Sequence, residues 1–143
     1  MRQLAILIGL CTVGAVLGAD DGKKETTLLE GKWSMVSGEA GGQAMPAAMV
    51  KSGTRVAKDG ETTVMIGGIV YFSAKYTIDP AKKPKTIDYT MTEGPTKGKT
   101  HLGIYELDGD KVKFCFAAPG KERPTDFTAK EGMTLSAWKR ETK

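Results

Sequence analysis

From Leu28 onward the chain is a succession of short runs rich in β-branched and aromatic residues, cut apart by Gly, Pro and Asp. Eight such runs are expected as strands: Gly31–Ser37, Thr54–Lys58, Glu61–Ile66, Ile69–Ile78, Lys85–Glu93, Thr100–Leu107, Lys111–Ala117 and Met133–Arg140. Alternation is clearest through Val70, Phe72, Ala74, Tyr76 and Ile78, through Ile87, Tyr89 and Met91, and through Val112, Phe114 and Phe116. A period of two with these residue types marks half-buried antiparallel strands. The dipeptides Asp59-Gly60, Gly67-Gly68 and Asp108-Gly109 separate neighbouring runs and tolerate the positive φ of tight hairpins.

Gln43–Lys51 departs from this pattern: it is rich in Ala and Met, with Pro46 early, and suits a short helix that caps one barrel end. Eight short strands joined mostly by hairpins leave two open edges unless the sheet closes on itself. The expected fold is therefore all-β, an eight-stranded antiparallel up-and-down barrel with one short helix after the first strand. A two-sheet sandwich is the alternative, disfavoured because Greek-key sandwiches need some long crossings.

Met1–Ala19 joins a positive start at Arg2 to an apolar run from Leu4 to Leu17, then Gly18-Ala19 before the polar Asp20-Asp21. That is the plan of a secretory signal peptide, with cleavage after Gly18 or Ala19. The apolar run is short of the about 20 residues of a membrane span. Leu10 before Cys11 is not the small residue that a lipidation site wants. The expected product is exported, periplasmic or extracellular, with Asp20–Thr27 as a flexible leader and Leu28–Lys143 as one barrel domain. Cleavage leaves Cys115 alone, so no internal disulfide is expected and the core must supply the stability.

At the first strand the chain reads Gly31-Lys32-Trp33, and a Gly-x-Trp there resembles the lipocalin signature. The later stretches Lys83–Asp88, Leu102–Asp110, Cys115–Pro124 and Trp138–Arg140 resemble, in order, an uncharacterised lipocalin-like family of exported bacterial proteins abundant in planctomycetes. The resemblance covers roughly Leu28 to Glu141. It implies a barrel whose base is closed by the Trp33 indole, with Arg140 packed across that ring, and it implies no activity.

The inventory for chemistry is thin. A net charge of +4 does not imply a nucleic-acid partner. The lysines at 82, 83, 85, 97, 99, 111, 113 and 121 suit a solvated surface better than an anion-binding patch. Cys115 has Lys111 and Lys113 on its strand face, which would activate a thiol; a small residue packed under a loop is the favoured reading. His101 has no partner in the pattern for base or metal work. No catalytic residue, metal or cofactor is expected, and the chain is read as non-enzymatic.

The most informative set is the inward-facing one. Trp33, Phe72, Tyr76, Tyr89, Phe114 and Phe116 are the candidate ligand-binding residues, with Ile78, Ile87, Met91 and Leu135 beside them. These side chains either line a pocket for a small apolar molecule or fill the barrel as an ordinary core, and the short strands favour filling. A filled barrel would suit a structural or interaction module of the cell envelope.

One register decides the face of the histidine. A three-residue Leu107-Asp108-Gly109 loop would pair Glu106 with Asp110 and set Ile104 beside Val112 and Leu102 beside Phe114. Burying Leu and Ile is worth about 1.5–3 kcal/mol each, while an unpaired imidazole costs free energy to bury. His101 is therefore expected to face outward.

Overall fold

The computed structural model describes residues 24–141. The signal peptide expected over Met1–Ala19 lies outside them. A short helix, α1 (24–28), leads into β1 (Gly31–Ala40), β2 (Gln43–Ala44), α2 (Ala47–Lys51), β3 (Gly53–Lys58) and β4 (Glu61–Ile66). There follow β5 (Ile69–Asp79), β6 (Lys85–Glu93), β7 (Thr100–Asp108), β8 (Lys111–Ala117) and β9 (Met133–Arg140).

Every strand pair is antiparallel, and β1 pairs with both β3 and β9, closing an eight-stranded barrel; the two-residue β2 is an arm on the end of β1. The tight turns explain the up-and-down order. Asp59 and Gly60 both have positive φ between the paired Lys58 and Glu61, as do Gly67 and Gly68 between Ile66 and Ile69. Mirror-image two-residue turns of this kind match the twist of the strands they join. No described helix is long and apolar enough to cross a membrane.

Up-and-down order puts the starts of β1, β4, β6 and β8 at one end. That end is shut. Leu29 is buried, its carbonyl accepts the Trp33 indole N–H at 3.1 Å, and the Arg140 guanidinium lies 4.2 Å from the Trp33 ring centre. Arg140 also donates to the carbonyls of Glu30 at 2.7 Å and Leu28 at 2.8 Å. The contact expected across Trp33 is present. Residues 24–27, expected as part of a flexible leader, are instead helical and tied down. One Glu25 carboxylate oxygen receives both the Tyr105 hydroxyl and the Lys85 ammonium at 2.7 Å.

At the other end β1 and β3 are linked through α2, which follows Pro46 directly and has no buried residue of its own. The helix is shorter than Gln43–Lys51 because Gln43 and Ala44 pair back onto Ala40 and Glu39.

Residues 118–132 run over the outer face of the sheet at β6–β8. Arg123 fixes this strap to the sheet by donating to Asp88 at 2.7 Å and to the Gly103 carbonyl at 2.9 Å. Under it Ile104 and Cys115 are almost fully buried, and Ala129 of the strap is buried as well. These strands are thus covered on both faces, an arrangement that alternation alone does not announce.

The β7–β8 register differs from the expected one. A two-residue Gly109-Asp110 turn, with Gly109 at φ +61°, pairs Asp108 with Lys111, Leu107 with Val112 and Tyr105 with Phe114. The face carrying His101, Gly103, Tyr105 and Leu107 therefore turns inward. The reason is physical: the strap covers Ile104 from outside, so facing outward does not expose it. Leu135, expected inward, likewise lies on the outer face, opposite Cys115, while Ser136, Trp138 and Arg140 face in.

Candidate functional site

The barrel interior divides into two layers. Towards the closed end Trp33, Ala57, Ile87, Tyr105, Val112 and Phe114 pack as a filled core. Towards the end that carries α2 there is a cavity of about 260 Å³, bounded mostly by apolar side chains. The expected filling is therefore right for one half of the barrel and wrong for the other. Of the six candidate ligand-binding residues, Phe72, Tyr89 and Phe116 line this cavity. Trp33, Tyr76 and Phe114 belong to the packed core and do not line it.

The cavity's aromatic wall is set by a glycine. Tyr89 and Phe116 lie with ring centres 4.1 Å apart and planes at 35°, and Phe72 lies 6.0 Å from Tyr89. Phe116 reaches this position because Gly103 faces it across the sheet: a Cβ on Gly103 would come within 2.5 Å of the Phe116 ring. Across from this wall are Met35 of β1 and Met45 and Met49 around α2. Met45 is seated on Gly38, whose own Cβ would stand 2.5 Å from the thioether sulfur. Unbranched thioether side chains adapt to irregular apolar surfaces, and they give this side of the cavity a deformable lining.

His101 enters the interior as a satisfied group. Its Nδ1 lies 2.9 Å from the Ala117 carbonyl, which can only accept, so Nδ1 carries a proton. In the neutral ring Nε2 then accepts from the Thr96 hydroxyl at 2.9 Å. These two bonds remove the penalty on which the outward expectation rested. They also tie the loop between β6 and β7 to the end of β8.

Arg55 is the residue that sequence reasoning missed. It projects inward from β3, is 5% exposed, and lines the cavity. Nη1 donates to Thr62 Oγ1 at 3.1 Å and Nη2 to the Tyr89 hydroxyl at 2.5 Å, while Nε has no partner among the described residues. Its guanidinium carbon lies 4.4 Å from the Phe114 ring centre and 5.0 Å from that of Trp138. The signal was obscured because Gly53, Arg55 and Ala57 alternate with Thr54, Val56 and Lys58, and neither set reads as an apolar face.

Burial raises the Tyr89 phenol above its usual range, against an opposing pull from the Arg55 charge and hydrogen bond. The Tyr76 phenol is pushed up to about 12, first by burial and then by Tyr89. The Cys115 thiol is raised too, by burial and by Asp126, with Lys130 pulling the other way. It is fully buried under the strap and hydrogen-bonds weakly to the Thr128 carbonyl at 3.9 Å. Lys113, expected as a possible activator, pairs with Glu106 at 3.0 Å and covers the Phe127 ring. The lysines form no single patch: Lys82, Lys83, Lys85 and Lys111 lie at the closed end, Lys97 and Lys99 at the cavity end.

Compared with family models, with curated proteins and with solved structures, the chain matches none.

Proposed function

We propose that this protein is an exported, non-enzymatic, lipocalin-like barrel that holds a small apolar ligand in the cavity between the Phe72–Tyr89–Phe116 wall and the methionines around α2. The observation that carries the reading is the unfilled half of the barrel. The pocket has about 260 Å³ of space beside apolar side chains, and an apolar guest there would take that surface out of water and gain dispersion contacts with it. The family reading draws support from the closed barrel and from Arg140 lying over Trp33. The non-enzymatic reading draws support from the two groups best suited to chemistry: His101 has both ring nitrogens engaged, and Cys115 is sealed with its thiol raised.

The test uses Nile red, a neutral dye that brightens in apolar surroundings. It is expected to bind the folded protein and to be displaced by one class of natural lipid or pigment. Ile66→Trp, which adds bulk at the cavity lining, is expected to weaken binding while leaving the unfolding transition in place. A folded protein that takes up no dye would instead favour a structural or interaction module of the cell envelope. Export is tested by mass spectrometry of native envelope and secreted fractions. A chain beginning at Ala19 or Asp20 is expected, and a mature chain beginning at Met1 would overturn it.

A further inference from the structure

Among the described residues Arg55 is a buried cation without a counter-ion. A guanidinium is charged at every accessible pH, and burying a charge without a counter-ion is strongly unfavourable. Yet none of the five ion pairs among the described residues includes Arg55. The faces of Phe114 and Trp138 attract the cation without neutralising it. Among the described residues only two of its five N–H groups find an acceptor, and the buried Nε finds none.

The partners it does have point the same way. Thr62 Oγ1 donates onward to the Val56 carbonyl at 3.2 Å, so its proton is committed and it serves Arg55 purely as an acceptor. The Tyr89 hydroxyl accepts from Nη2, which leaves its own proton uncommitted. Burial keeps that phenol protonated. Arg55 and Tyr89 both line the cavity, and between them they offer unused N–H and O–H donors at one place in an otherwise mostly apolar chamber.

We propose that Arg55 and the Tyr89 hydroxyl form the head-group subsite of the cavity and that the ligand is an amphipathic monocarboxylate. Its carboxylate takes the free donors of the guanidinium and the phenol, and its apolar body lies against Phe72, Phe116 and the methionines around α2. A single cation and a single phenol suit a monoanion; a phosphate dianion would ask for more donors than the site supplies. This inference rests on the apolar-ligand reading above and is separable from it.

The experiment compares straight-chain fatty acids with the alcohols of the same lengths, each displacing Nile red from the intact protein near neutral pH. Wild-type protein is expected to bind the best acid about tenfold or more tightly than its alcohol, the yield of one charged hydrogen-bonded pair. Arg55→Gln and Tyr89→Phe are each expected to shrink that ratio, Arg55→Gln to about one. Dye uptake with equal affinity for acid and alcohol would overturn the head-group subsite and leave the apolar cavity standing. Dye uptake that no acid displaces would do the same. Absence of dye uptake would overturn both. The wild-type comparison decides the matter even if Arg55→Gln does not fold.

Discussion

Trp33 and Arg140, far apart in sequence, form one closure: the guanidinium lies 4.2 Å from the indole ring centre and donates to the carbonyls of Leu28, the last residue of α1, and of Glu30. Trp33 is fully buried. Trp33→Ala is expected to cost about 3–5 kcal/mol, as other large core truncations do. Arg140→Gln is expected to cost about 1–3 kcal/mol through the lost ring contact and backbone bonds. Urea unfolding measures both, and a loss below about 1 kcal/mol for Trp33→Ala would show that the indole does not close the barrel.

Gly103 concerns the cavity wall. An alanine there places its Cβ 2.5 Å from the Phe116 ring and 2.8 Å from the Cys115 carbonyl oxygen. The backbone contact cannot relax cheaply, so Gly103→Ala is expected to destabilise the protein by about 1–3 kcal/mol. Phe116 is the part that can move, and Nile red uptake should fall with stability. Unchanged stability and uptake would mean that the two strands separate freely at this point.

The buried phenols make stability fall in alkali. Tyr76, Tyr89 and Tyr105 all have folded pKa values above the ordinary 10.0; for Tyr76 the folded value is about 12. For Tyr105 burial is the largest cause, followed by its hydrogen bond to the Glu25 carboxylate. The unfolded chain loses these protons first, so between about pH 10 and 12 the native state binds more protons and unfolding becomes easier as pH rises. Each such group contributes a slope of about 1.4 kcal/mol per pH unit. Ultraviolet tyrosinate absorbance from these three residues should appear together with the loss of far-ultraviolet β signal. The Tyr76 hydroxyl has no hydrogen-bond partner among the described residues, so Tyr76→Phe should be neutral or stabilising by up to about 1 kcal/mol and flatten the alkaline slope. A loss of 1 kcal/mol or more at neutral pH would contradict that, by the same measure.

His101 is the tie between the β6–β7 loop and β8. His101→Leu removes the bonds to Thr96 and to the Ala117 carbonyl while keeping an apolar volume inside. Amide hydrogen exchange in residues 94–99 should accelerate by about tenfold, for a loss near 1.4 kcal/mol of local stability, with the closed-end strands unchanged. Equal exchange in both proteins would assign the loop's order to its own turn.

How far the sequence reaches can be judged residue by residue. Alternation in Ile69–Asp79 and Lys85–Glu93, with glycine turns on either side, makes the barrel and its strand limits legible. It fails where a strand is buried on both faces. In β8 Phe114, Cys115 and Ala117 are all buried, and the strap responsible is a stretch of Pro, Gly and charged residues with no periodicity. Without the strap Ile104 would be exposed on the outward face of β7, and the opposite register would bury more apolar surface. At the site, the aromatic wall was legible because large rings on strands nearly always face inward. Arg55 was not, because an inward cation contradicts the hydrophobic pattern, and only its unspent donors and its neighbours give it meaning.

The closure of β1 on β9 also sets how this chain must reach its fold. The pairing of Trp33 with Arg140 spans nearly the whole domain, whereas the other barrel pairings join strands that are near neighbours in sequence. The meander from β3 to β9 can zip up locally within microseconds to milliseconds, but the last seam waits on a loop-closure search across the chain. Folding on the slow side, in the millisecond-to-second range of high-contact-order β proteins, is the kinetic consequence. Until that seam shuts, β1 and β9 each present an unpaired edge, and the interval is the chain's window of exposure to aggregation.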